Sequence, residues 1–219
     1  MGKKIAIWVV AVLMVLTLAG TTYYYWQKNN LYVDTEDAKV DGAIVRVSPQ
    51  MVGKIMELNV DEGDLVKAGD ILARQADLTL PPGANLDLAV IKAPISGVVV
   101  KRIGNIGEVG APGQPVLMLA DLNGLYITAN IEEKKLSRVK PGQLVDFTID
   151  AVPGVKYTGR VESIGEATLS TFSLLPTQNT GGNFTKVAQR IPVKIKFDNY
   201  QGRRLLPGMN AIVRIHIKQ

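Results

Sequence analysis

The chain has 219 residues, 47% of them hydrophobic, with no cysteine, one histidine and a formal charge of +5. That length leaves room for one or two small domains and excludes a large enzyme. The lack of cysteine excludes disulfides and thiolate metal sites, and a charge that falls to +3 once Lys3 and Lys4 are set aside is too weak to point to nucleic acid.

Residues 1–4 carry Lys3 and Lys4, and from Ile5 to Trp26 no residue is charged. As a helix these 22 residues would extend roughly 33 Å, close to the ~30 Å hydrocarbon core of a bilayer. The spacing therefore predicts a transmembrane anchor over 5–26, with Tyr23, Tyr24, Tyr25 and Trp26 at the far interface, where amphipathic rings settle. Lys3 and Lys4 should hold the N-terminus in the cytoplasm and place everything after Lys28 outside the cytoplasmic membrane. A cleaved signal peptide is the competing reading. The apolar run is longer than its usual core, and Thr17-Leu-Ala19 is a poor cleavage site.

Residues 27–38 read as a linker leading to an Asp41-Gly42 turn. An internal repeat follows. Gly53, Gly63 and Gly69 recur 44 residues later as Gly97, Gly107 and Gly113, embedded each time in short apolar, β-branched strands. Glycine at such turns supplies positive φ or close backbone approach. Neither copy can bury its apolar face alone, so the pair should close into a small sandwich of pseudo-two-fold symmetry over 39–119. The joint between the copies, Ala73 to Val90, contains Pro81-Pro82-Gly83 and reads as a short loop.

A second β-rich unit spans 120–219. Leu125 to Ile131 is a strand, Glu132 to Val139 a turn or two of helix stopped by Pro141-Gly142, and Leu144 to Ile149, Tyr157 to Ile164, Ile191 to Phe197 and Ile212 to Ile217 are further strands. Alternation of Ile191, Val193, Ile195 and Phe197 with polar neighbours means one buried face, and this density of short strands predicts a small antiparallel β-barrel. The fold class is thus mainly β behind one N-terminal membrane helix.

Catalytic chemistry is poorly provided for. His216 lies on the polar face of the last strand and reads as a solvated strand residue. The acidic cluster Asp34, Glu36, Asp37 and Asp41 lacks the ligand register of a calcium loop and reads as part of the charged linker. Glu132 and Glu133, adjacent on a helix, are splayed by about a hundred degrees and cannot face each other as an acid/base pair. No catalytic, cofactor or metal site is expected. The stretch Thr171 to Pro176 carries Phe172, Leu174 and Leu175, which either plug the barrel end or dock a partner.

The anchor, the segment Tyr32-Val-Asp-Thr-Glu-Asp-Ala-Lys-Val-Asp-Gly42, the glycine repeat and Ile91-Lys-Ala-Pro-Ile-Ser-Gly-Val-Val99 together resemble the HlyD-type membrane fusion proteins, or periplasmic adaptors. Phe172 to Asn179, Gly182-Asn-Phe184 and Lys186 to Val193 look like the Emr multidrug-resistance branch. The resemblance implies that the repeat is a lipoyl-like barrel-sandwich hybrid and that the following unit is a β-barrel. It also implies a non-catalytic, oligomeric partner of an inner-membrane, major-facilitator-type transporter exporting hydrophobic drugs or toxic compounds. Family members that reach an outer-membrane channel insert a long helical hairpin at the joint. Eighteen residues broken by Pro-Pro-Gly cannot form it, which argues against direct contact with such a channel. Two other readings stay open. A biotin or lipoyl carrier shares the sandwich, but its modified lysine belongs at the joint and 73–90 contains none. An anchored scaffold or ligand-binding module unrelated to transport is the other.

Overall fold

The computed structural model describes residues 8, 12–23, 31–76, 86–168 and 188–217. Residues 12–23 are helical (α1). The Thr17, Thr21 and Thr22 hydroxyls donate to the carbonyls of Leu13, Thr17 and Leu18 at 3.0, 2.9 and 2.8 Å, so the helix satisfies its own polar side chains. Among the described residues no helix is long and apolar enough to cross a membrane. Residues 5–7, 9–11 and 24–26 of the expected span lie outside the described set.

Strand β1 (Tyr32–Asp41) is followed by β2 (Ile44–Val47), β3 (Gly53–Leu58), β4 (Leu65–Val66), β5 (Ile71–Gln75), β6 (Val90–Lys92), β7 (Gly97–Arg102), β8 (Val109–Gly110) and β9 (Leu117–Ala120). Then come β10 (Tyr126–Glu132), the one-turn helix α2 (Glu133–Leu136), β11 (Leu144–Ile149), β12 (Lys156–Ile164), β13 (Arg190–Phe197) and β14 (Asn210–His216). The chain divides into two compact units, one of 39–127 with 200–209, the other of the remainder.

The first of these is a sandwich of two four-stranded sheets, β2-β9-β7-β4 and β6-β5-β3-β8. Moving 44 residues along the repeat carries β2, β3, β4 and β5 onto β6, β7, β8 and β9, and so carries one sheet order onto the other. Each sheet takes two strands from each copy. The hydrogen bonds repeat as well. Gly63 N–H donates to Val99 O and Gly107 N–H to Ile55 O, both at 2.8 Å, and Asn59 N–H to Leu72 O is matched by Ile103 N–H to Val116 O. Ile55, Leu72, Val99, Leu117 and Leu119 fill the space between the sheets, each contributing about 1.5–3 kcal/mol by leaving water.

The six glycines of the repeat serve two purposes. Gly63, Gly69, Gly107 and Gly113 have φ of 97°, 92°, 95° and 83°. Each is third in a four-residue turn closed by a backbone bond, such as Asp64 N–H to Asp61 O at 3.2 Å, where a type II turn demands positive φ. Gly53 and Gly97 instead begin strands and lie against backbone: a Cβ on Gly53 would sit 3.0 Å from Ala76 O, and one on Gly97 only 2.1 Å from Ala120 O.

The second unit holds a closed barrel, ordered β1-β10-β13-β12-β11-β14. Strand pairing is antiparallel, with Phe147 opposite both Tyr157 and Val213. Alternation places Val145, Phe147, Ile149, Val193, Ile195, Val213 and Ile215 inside. Phe147 stacks on Tyr157 with centroids 5.8 Å apart and meets Phe197 edge-on at 4.9 Å.

Two sequence expectations change here. Residues 32–38 are barrel strand rather than linker: Val33, Ala38 and Val40 are buried, and Asp34 and Asp37 between them meet arginines from distant strands. The joint is shorter than 73–90, because Ala73 and Gln75 are buried in β5 and residues 86–89 form a single 3-10 turn before β6.

Candidate partner-facing sites and family

On the outer wall of the barrel the acidic residues of β1 are held by arginines. Arg214 on β14 donates to both carboxylate oxygens of Asp34, at 3.0 and 3.1 Å, and lies over the Tyr32 ring. This hydrogen bonding to Asp34 pushes the Arg214 guanidinium above its ordinary value. Arg190, the first residue of β13, donates to Asp37, whose other oxygen accepts from Asn130 Nδ2 at 3.0 Å. The Thr35 hydroxyl donates to Asn130 O at 3.0 Å.

An open, polar cleft of about 630 Å³ lies over this network, lined by Asp34 to Asp37, Asn130 to Glu132, Lys135 and Arg190. Its carboxylates Asp34 and Asp37 are each paired with an arginine, and Lys135 lies 3.8 Å from Glu132. Among the described residues no group of three His, Cys, Asp or Glu side chains is placed to hold a metal.

His216 is less isolated than its position on a polar face suggested. Its Nε2 lies 2.7 Å from Asp146 Oδ2, and its ring meets Tyr32 edge-on at 4.9 Å. The Asp146 partner is 70 residues away in sequence, so local spacing carries no sign of it.

The sandwich has its own polar fixtures. Asp64 accepts from Asp61 N–H at 2.8 Å and Glu108 from Asn105 N–H at 3.0 Å, one repeat apart. The Asn105 side-chain amide, and then its backbone N–H, hold the Glu108 carboxyl below its ordinary value. Gln75 breaks the symmetry: 5% exposed, it donates to Gly53 O at 2.9 Å and Gly110 O at 3.2 Å, tying β3 to β8 from inside. Sequence reasoning missed it, although a glutamine aligned in the repeat with Leu119 is a visible signal.

The segment 200–209 packs into this unit through Tyr200, whose hydroxyl lies 3.0 Å from both Asn123 O and Leu125 O. Burial first, and the Asp121 charge second, push the Tyr200 phenol above its ordinary value of 10.0. A raised folded-state pKa gives stability that is present below the unfolded value and lost as pH rises through the folded one. Denaturant titrations above pH 10 should therefore show an alkaline loss of stability that Tyr200→Phe flattens, the variant being weaker at neutral pH for want of the hydroxyl's hydrogen bonding. An unchanged alkaline slope would show that another group sets it.

Two edge strands expose apolar residues at equivalent repeat positions, Leu65 on β4 (67% exposed) and Val109 on β8 (64%). Of the expected membrane-interface residues, Tyr23 is helical and exposed, while Tyr24, Tyr25 and Trp26 lie outside the described residues. Phe172, Leu174 and Leu175 also lie outside them.

Residues 43–122 match the RND MFP, barrel-sandwich hybrid domain, and residues 124–216 the AAEA-like beta-barrel domain. The chain belongs to the membrane fusion proteins, as an Emr-type periplasmic adaptor that lacks the helical hairpin. It is 38% identical over 215 residues to "Putative efflux system component YhbJ" of Bacillus subtilis (strain 168), covering 98% of this chain and 93% of that protein. Multidrug export protein EmrA of Escherichia coli (strain K12) is 34% identical over 134 residues, 60% of this chain and 34% of that one. The chain thus spans about a third of EmrA's length. The solved structure of the periplasmic adaptor protein EmrA superposes with a TM-score of 0.60 at 18% identity, over 84% of this chain and 98% of that one, which speaks to the fold.

Proposed function

We propose that the chain is the membrane-anchored adaptor subunit of an efflux system, supporting a major-facilitator-type transporter in the export of hydrophobic drugs or toxic compounds. The near full-length match to a Bacillus protein named as an efflux system component carries this reading. Family membership and the names of the Emr relatives agree with it. The anchor is residues 5–26, with the N-terminus in the cytoplasm and the body outside. Helix α1, apolar at Val12 to Leu16 and with every threonine hydroxyl bonded to its own backbone, suits a medium without water.

The adaptor works as an oligomer, and the exposed Leu65 and Val109 on short sheet edges suit contact between copies. Tyr23, Tyr24, Tyr25 and Trp26 mark the outer interface of the membrane. Phe172, Leu174 and Leu175 dock the transporter. The ten residues between β5 and the 3-10 turn before β6 are too few for a helical hairpin that would reach an outer-membrane channel, which argues against direct contact with one.

The test pairs the chain with a major-facilitator transporter in a drug-sensitive host. Resistance to hydrophobic compounds should require both proteins. Replacing Leu174 and Leu175 with Asp should abolish co-purification with the transporter while the circular dichroism spectrum is kept. Resistance unchanged without the adaptor would refute the role, and unaltered co-purification would refute the docking loop.

A further inference from the structure

The barrel has two ends, and the strand directions sort the loops between them. At the end where the chain enters, β1, β11 and β13 begin and β10, β12 and β14 finish. The Ile217 N–H donates to Leu31 O at 2.9 Å. Gln143 Nε2 donates to Arg138 O at 3.1 Å and reaches Ile217 O at 3.4 Å. The connection from β10 to β11, residues 133–143, is thereby fixed beside Leu31.

That connection reads Glu-Lys-Lys-Leu-Ser-Arg-Val-Lys-Pro-Gly-Gln, four cations against one anion. Lys134 and Lys140 are exposed and make no ion pair among the described residues. Arg160, exposed on the neighbouring β12, donates to Gly142 O and adds a further charge to the same face. Several nearby carboxylates are already paired with a cation, Glu132 with Lys135, Asp37 with Arg190 and Asp34 with Arg214, and Asp146 is hydrogen-bonded to His216. Glu133 alone opposes the patch from within the segment.

We infer that Lys134, Arg138, Lys140 and Arg160 form a contact surface for anionic phospholipid headgroups. The inference rests on the anchored reading above. The uncharged run ends at Trp26, and the five residues from there to Leu31 extend at most about 18 Å. A headgroup layer is itself several ångströms deep, so the patch lies within reach of it by the length of the tether alone. Basic side chains close to an anionic surface are drawn to it, and salt screens the attraction within about 8 Å at physiological strength.

The chain has no cysteine, so Ser137→Cys gives a single labelling site in the patch, and Ala151→Cys gives one at the opposite end of the barrel. Both residues are exposed. The full chain is reconstituted in lipid nanodiscs carrying headgroup spin labels, with phosphatidylglycerol present or with phosphatidylcholine alone. Quenching of a fluorophore at position 137 should rise about threefold with phosphatidylglycerol, disappear in about 0.5 M salt and be lost in a Lys134→Gln, Arg138→Gln, Lys140→Gln variant. Position 151 should report no change. Equal quenching in the two lipids, or quenching that depends on a co-reconstituted transporter instead of on phosphatidylglycerol, overturns the inference. Alkaline carbonate separates the two readings. Protein retained in the membrane with lipid-independent quenching sinks this inference alone, whereas protein released sinks the anchor and this inference with it.

Discussion

Gly97→Ala is expected to unfold the sandwich unit, a larger effect than alanine at any of the four glycines with positive φ. The added methyl would meet Ala120 O at 2.1 Å and the Ala120 carbonyl carbon at 3.0 Å, both backbone atoms that cannot swing aside. Strand β7 pairs with β9 at this point, Val98 facing Ala120, so relief requires parting two central strands. A cost of about 3 kcal/mol or more follows. At Gly63 an added methyl finds nothing within 4 Å, and the penalty is the left-handed φ of 97° alone, about 1–2 kcal/mol. Denaturant unfolding of both variants, followed by far-ultraviolet circular dichroism, gives the ranking. If Gly63→Ala proves the more damaging, the sandwich tolerates strand separation and the close approach at Gly97 has little weight.

The second large effect belongs to the barrel. Phe147→Ala removes the ring that stacks on Tyr157 and abuts Phe197, at a site 2% exposed. A cavity of that size costs about 3–5 kcal/mol. Amides of β11, β12 and β14 should then exchange faster by roughly two to three and a half orders of magnitude, while amides of β3, β5, β7 and β9 keep their protection. Faster exchange in both units alike would mean that they unfold as one. Tyr157→Phe should act in the opposite direction. Among the described residues the buried Tyr157 hydroxyl has no hydrogen-bond partner, and its removal should stabilise the barrel by about 1 kcal/mol.

Much of this architecture was legible along the chain because it is written in short periods. The alternation through Leu144 to Ile149 gave that strand its observed limits, and Ile191, Val193, Ile195 and Phe197 all face inward as their spacing required. The glycine period announced two related halves. What could not be read was pairing between distant residues. Asp34 and Asp37 look like linker charges until Arg214 and Arg190, 180 and 153 residues away, are brought beside them. The exchange of strands between the two repeat copies is likewise long-range, as is the return of 200–209 to the sandwich through Tyr200. The two kinds of repeat glycine share one spacing, and only backbone geometry tells a turn from a close approach. For the candidate sites, Phe172, Leu174 and Leu175 stood out as apolar residues in a polar stretch. The charged network around Asn130 gave no local signal at all.

The adjacency of β5 and β6 in one sheet has a further bearing on how such proteins diversify. These strands pair antiparallel, Ala73 beside Ile91 and Arg74 beside Val90, so the two chain ends that flank the joint emerge next to each other. A graft at that point, whether a tight bend or a hairpin many turns long, leaves every sandwich contact in place, and its closure cost grows only with the logarithm of its length. The length of whatever the sandwich carries at this point is consequently a property that can be changed by exchanging one cassette, while the seat that carries it stays the same.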